Sequence, residues 1–105
     1  MADEKLLISE SKTAADAAKL VLKGRVNTES ANILHRKLDE AYKNYKHIVL
    51  NMQQVPFLSS GGIRVLLMYY KIANARGGSF FIEDPSENVM NVLGMVALDE
   101  MMLKK

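Results

Sequence analysis

The sequence predicts an α/β fold on a mixed sheet, and three observations predict it. Short apolar runs of strand length alternate with segments whose apolar residues recur every three or four positions, the order expected when helices connect strands. One run, HIVLNM from His47 to Met52, shows little polar alternation after His47, as a strand covered on both faces would. The 105 residues, 49% hydrophobic and 25% charged, fit one globular domain over 1–105 and leave little room for two.

The elements follow in order. KLLIS (Lys5 to Ser9) reads as an edge strand and SKTAADAA (Ser11 to Ala18) as a turn or hairpin connection. KLVLKGRV (Lys19 to Val26) is strand-like at Leu20, Val21 and Leu22, with Gly24 able to supply a bulge or bend. The period then changes. Ala31, Leu34, Leu38, Ala41, Tyr42 and Tyr45 form one apolar stripe, which predicts a helix over 28–44 with Asn27 or Thr28 accepting its first free amides.

After HIVLNM, Pro56 carries the chain out of the sheet, since it has no amide hydrogen for a central ladder. GGIRVLLMYYKIANARGG predicts a second helix, apolar at Ile63, Leu66, Leu67, Tyr70, Ile72 and Ala73 and closed by Gly77 and Gly78. SFFIED (Ser79 to Asp84) is the next strand. Ser86 caps a last helix carrying Val89, Met90, Val92 and Leu93, with Gly94 expected to stop it. MVALDEMML adds a turn and a short terminal strand. Met90, Met95, Met101 and Met102 are expected mainly to fill core; the other reading is an adaptable apolar surface for a partner or second copy.

Composition narrows the function. Fourteen Lys and Arg against twelve Asp and Glu leave a charge of +2. The basic residues are scattered, without a block or interleaved aromatics, so nucleic-acid binding is not expected. The absence of cysteine excludes disulfides and thiolate chemistry and fits a reducing compartment. No apolar run approaches the ~20 residues that span a bilayer, and MADEKLLISE lacks the pattern of a signal peptide. A cytoplasmic protein without membrane insertion is expected.

FLSSGGIR (Phe57 to Arg64) is where chemistry concentrates. Ser59, Ser60, Gly61 and Gly62 stand between the exit of a strand and the start of a helix, the end at which open α/β sheets place their sites. Free amides and the macrodipole favour negative charge there, and glycine lets another protein approach the backbone. These conditions suit a serine that accepts a phosphoryl group. The plainer reading is that one serine caps the helix and the glycines make the turn. Spacing alone leaves both open. The stretch has neither the G-x-S-x-G of a nucleophile elbow nor a P-loop, so no enzyme is read from it. His35 and His47 lack a third ligand at recognisable spacing, so neither metal nor cofactor is expected. Asp39-Glu40, Glu83-Asp84 and Asp99-Glu100 look like solvated or turn residues rather than acid/base pairs.

KHIVLNMQQVPFLSSGGIRVLLMYYKIANARGG resembles the core of a STAS domain, with Ser59-Ser60-Gly61-Gly62-Ile63-Arg64 similar to the family's Ser-Ser-Ala-Gly-Leu-Arg form. GRVNTESANIL resembles its Gly-Glu-Leu-Asp segment leading into the first helix. The resemblance implies a four- to five-stranded mixed sheet with three to four helices packed mainly on one face. It also implies an anti-sigma factor antagonist: a phosphoprotein of bacterial signalling that regulates transcription by partner switching. Its partners would be a serine-kinase-type anti-sigma factor, which phosphorylates it, and a PP2C-type phosphatase. The acceptor matches Ser60, with Ser59, where the family often has Asp, as the fallback. Asn27, Ser59, Ser60, Gly61, Gly62 and Arg64 would form the partner-binding surface, with Arg25 beside Asn27. Arg64 could pair with a phosphate or an acidic partner. A monomer or weak homodimer is expected. The alternative is an accessory subunit of a membrane transport system, where STAS-like domains also occur.

Overall fold

A computed structural model describes residues 5–104. Strands β1 (Leu7–Ala14) and β2 (Ala17–Lys23) are followed by helix α1 (Ser30–Asn44), β3 (His47–Gln54), α2 (Ser60–Ala75), β4 (Ser79–Glu83), α3 (Glu87–Met95) and α4 (Asp99–Met102). The sheet has the order β1-β2-β3-β4. β1 runs antiparallel to β2, while β2, β3 and β4 are parallel, with Leu20 opposite Leu50 and Leu50 opposite Ile82. A bridge from Leu103 to Ile82 stands where a terminal strand was expected.

The parallel strands bury alternate residues: Ala18, Leu20 and Leu22 on β2, Ile48, Leu50 and Met52 on β3, Phe80 and Ile82 on β4. They join one cluster with Leu34, Leu38 and Tyr42 of α1, Val65, Leu66 and Tyr69 of α2, and Val89 and Leu93 of α3. Each such aliphatic side chain contributes about 1.5–3 kcal/mol by leaving water. The helices therefore cover one face. The expectation that β3 is covered on both is corrected: Val49 and Asn51 are half-buried on the open face. There Lys19 pairs with Glu83 at 2.6 Å and Asn51 donates to Glu83 at 3.1 Å. Lys19, then Asn51, hold the Glu83 carboxyl below the usual carboxylate range.

Four further expectations are revised. β1 extends through Ala14 and β2 starts at Ala17, so Ser11–Ala18 is mostly strand joined by a two-residue turn. As an exposed edge, β1 has no apolar alternation to betray it; Glu10 ties it to α1 through Lys37 at 2.8 Å. The buried face of α2 is Gly62, Val65, Leu66, Tyr69 and Ala73, leaving Ile63, Leu67, Tyr70 and Ile72 half-buried. Gly94 lies inside α3, which ends instead through Ala97 at φ 59°. Met90, Met95 and Met101 are exposed, and of that cluster only Met102 is core.

Gly77 and Gly78 close α2 as read. Gly77 adopts φ 79°, and the Gly78 amide reaches back to the Ala73 carbonyl at 2.8 Å. That is the left-handed closure at which glycine carries least steric cost.

Candidate functional site

Two strand exits meet at one corner. The segment leaving β2 and the segment leaving β3 run side by side: Val26 bridges Leu58, the Val26 amide donates to the Phe57 carbonyl at 2.9 Å, and the Ser59 amide donates to the Val26 carbonyl at 2.8 Å. Gly24 precedes this pairing at φ 124°, and its amide donates to the Gln54 carbonyl at 3.0 Å. Both segments then turn into helices, so the starts of α1 and α2 lie together.

Each start is capped by its own chain. Asn27 Oδ1 accepts from the Ser30 amide at 2.8 Å, and Ser30 Oγ accepts from the Asn27 amide at 2.9 Å while donating to the Arg25 carbonyl at 2.7 Å. This reciprocal pair satisfies two donors that the first turn would leave orphaned. The regular helix begins at Ser30 rather than at 28, and Glu29 at its boundary makes no capping bond. Of the two expected residues, Asn27 and Thr28, it is the half-buried Asn27 whose side chain accepts from the first turn. On α2, Ser59 Oγ accepts from the Gly62 amide at 3.1 Å and the Ser59 carbonyl accepts from Ile63 at 2.9 Å.

The two serines therefore differ. Ser59 is half-buried and its hydroxyl is engaged by the backbone. Ser60, the first residue of α2, is exposed, and its hydroxyl has no hydrogen-bond partner among the described residues. The glycines differ as well. A Cβ on Gly61 would make ordinary contacts, 3.7 Å from Ser59 Oγ and 3.8 Å from Thr28 Cα. A Cβ on Gly62 would sit 2.7 Å from both Leu58 Cδ1 and Val26 Cγ1. Gly62 is buried, and its missing side chain makes room for the strand-exit pairing.

The charges around the corner are mixed, since Glu29 stands at the start of α1. The positive ends of two helix dipoles converge on it, and the first turn of α2 contains no acidic residue. Arg25 places its guanidinium 4.7 Å from the centroid of the Phe57 ring, and Arg64 is exposed one turn into α2. Phe57 joins the candidate residues here, and the motif in the sequence does not single it out. It is 38% exposed beside the serines, and its place just after Pro56 was the available signal.

The other polar candidates lie elsewhere. His47 Nδ1 is 2.8 Å from Ser79 Oγ at the opposite end of the strands, and His35 packs against Tyr69 with ring centroids 5.5 Å apart. No cluster of metal-ligating side chains occurs among the described residues. Among the described residues the Ser60 hydroxyl has no hydrogen-bonded base to raise its reactivity above that of an ordinary alcohol. No helix among the described residues is long and apolar enough to cross a membrane.

Comparison with known proteins bears on the family and the fold. The sequence model of the STAS domain matches residues 10–105. The anti-sigma F factor antagonist of Paenibacillus polymyxa is 30% identical over 83 residues, covering 77% of this chain and 71% of that protein. Among solved structures, the anti-sigma factor antagonist SpoIIAA in its unphosphorylated form superposes with a TM-score of 0.80 at 18% identity, covering 94% of this chain and 88% of that one. The Bacillus cell fate determinant SpoIIAA in its phosphorylated form gives 0.75 at 17% identity, covering 94% and 91%. At these identities the solved structures speak to the fold.

Proposed function

This chain belongs to the STAS domain family, of the anti-sigma factor antagonist type, and from that premise we propose that it is a cytoplasmic partner switch controlled by phosphorylation of Ser60. The observation that carries the reading is the division of labour between adjacent serines: Ser59 is spent on the helix cap, while Ser60 is exposed and free. On this reading residues 1–105 act as one binding domain rather than as an enzyme.

Unmodified, the corner docks on a serine-kinase-type anti-sigma factor and frees that factor's target. Ser60, Gly61, Arg64 and the stacked Phe57 face the partner, while Asn27, Ser59 and Gly62 shape the surface from below. The kinase then transfers the γ-phosphoryl group of ATP to Ser60 Oγ; the hydroxyl proton leaves and ADP is released. The product carries roughly −1.5 to −2 charges where there was none. Dipoles and arginines stabilise that charge within this chain, but an apolar or acidic partner surface must desolvate or oppose it. Binding weakens on the order of a hundredfold or more, about 2.7 kcal/mol. A PP2C-type phosphatase restores the hydroxyl.

The test is phosphoryl transfer from labelled ATP by a purified kinase-type anti-sigma factor. Ser60→Ala should abolish incorporation, while Ser59→Ala, which damages only the cap, should retain most of it. Full labelling of Ser60→Ala would move the acceptor elsewhere. In a binding titration Ser60→Asp should weaken the complex, and unchanged affinity would remove the switch.

A further inference from the structure

Two arginines stand near Ser60, and they are not equivalent. Arg25 is held over the Phe57 ring at 4.7 Å. Arg64 is exposed and forms no ion pair among the described residues. It lies four residues after Ser60 on α2, whose sequence SGGIRVLLMYYKIANA has no acidic residue to compete for it. Residues at this spacing share a helix face, with Cβ atoms about 5–6 Å apart, and an anion placed N-terminal to a cation is the favoured order. Helical side chains also lean toward the N-terminus, so a long side chain at position 64 covers the turn that Ser60 begins.

We infer that Arg64 is the second half of the switch: it closes on the phosphate of Ser60 as a clasp within one helix. The inference rests on Ser60 being the acceptor and deepens that reading. The guanidinium fork matches phosphate oxygens, whereas lysine offers only a point charge. The amides of Gly62 and Ile63 are already taken by Ser59, so Arg64 supplies donors that much of the first turn cannot. Modification then changes the docking surface twice. It adds an anion, and it withdraws the cation that had been available to an acidic group on the partner.

The clasp is tested without any partner. Phosphoserine is installed at position 60 of the full chain during synthesis, and the phosphate's second ionisation is followed by phosphorus NMR. The ionisation of the intact sequence should fall about half a pH unit below that of Arg64→Gln, with Arg64→Lys recovering part of the difference. Arg25 and Glu29, the other charges near this corner, are the same in all three proteins. Arg64 is exposed, so its replacement leaves the fold intact as a reference. Coincident titration curves for the intact sequence and Arg64→Gln overturn the clasp. Because the phosphate is placed synthetically, that failure is distinct from failure of the kinase to label Ser60.

Discussion

Helices α2 and α3 both begin where a parallel strand ends, and both are capped by a serine. Ser59 accepts from Gly62 at 3.1 Å and Ser86 from Val89 at 3.2 Å. The three residues after each cap are entirely different: Ser60-Gly61-Gly62 on α2, Glu87-Asn88-Val89 on α3. At the first position α3 has an acid that already answers the dipole, where α2 has a free hydroxyl. At the second, Asn88 donates to the Pro56 carbonyl, where Gly61 leaves the backbone bare. At the third, Val89 fills the core, where Gly62 yields to Val26 and Leu58. Ser86 itself donates to the Val55 carbonyl at 2.5 Å. The start of α3 thus anchors the loop that delivers the serines, and the start of α2 remains chemically open. A cap is a hydroxyl committed to backbone; a site needs a second one that is not.

The most severe way to break this contrast is to give α2 the third residue of α3. Gly62→Val would drive its first side-chain atom to within 2.7 Å of Val26 and Leu58, both buried. Overpacking of this kind costs about 1–3 kcal/mol, and urea denaturation should show it. Gly61→Ala, one residue earlier, meets only ordinary contacts and should stay within about 0.5 kcal/mol of the parent. Equal losses at both glycines would mean that the corner is packed differently.

A finer test ranks the three serines. Ser86→Ala removes a cap and a bond to a carbonyl, which together should cost about 1–2 kcal/mol. Ser59→Ala removes a cap alone, about 1 kcal/mol. Ser60→Ala removes no hydrogen bond among the described residues and should lie within about 0.5 kcal/mol of the parent. If denaturation finds Ser60→Ala as costly as Ser59→Ala, the hydroxyl at position 60 is structural and the contrast fails.

These serines also mark how far sequence reading reached. α1 was legible because its polar face is strongly polar, so the spacing of Ala31, Leu34, Leu38, Ala41 and Tyr42 selects one buried stripe. α2 is apolar almost all round, and its period could not say whether Leu67 or Val65 turns inward; the sheet and α1 decide that. β1 was read short because a strand exposed at an edge has no reason to alternate. Phe81 and Val49 look like core in sequence, yet lie half-buried on the face turned away from α1 and α2. Ser59 and Ser60 were found as a pair, but which of them caps α2 follows from where the helix begins. That start is fixed by the pairing of Val26 with Leu58, a contact distant in sequence that no local pattern encodes.

The smallest expected effect separates the charge of the switch from the integrity of the fold. α3 carries Glu87 at its first position, and Ser60→Asp would give α2 the same arrangement. A carboxylate there meets the positive end of the helix and, four residues on, Arg64; the gain should be about 0.3–1 kcal/mol at low salt. The sign with pH follows from the direction of the interaction. The carboxyl introduced by Ser60→Asp, favoured in its charged form by the helix start, should have a depressed pKa, so its contribution is complete above the unfolded value of about 3.9 and fades as pH falls through the folded one. Denaturation of Ser60→Asp and the parent at neutral and strongly acidic pH checks both statements. The expected pattern is a variant slightly more stable at neutral pH, level with the parent in acid, and weaker only in partner binding. A variant that is destabilised at neutral pH would mean that negative charge loosens the helix start, and the switch would then act by disordering α2 rather than by altering an intact docking surface.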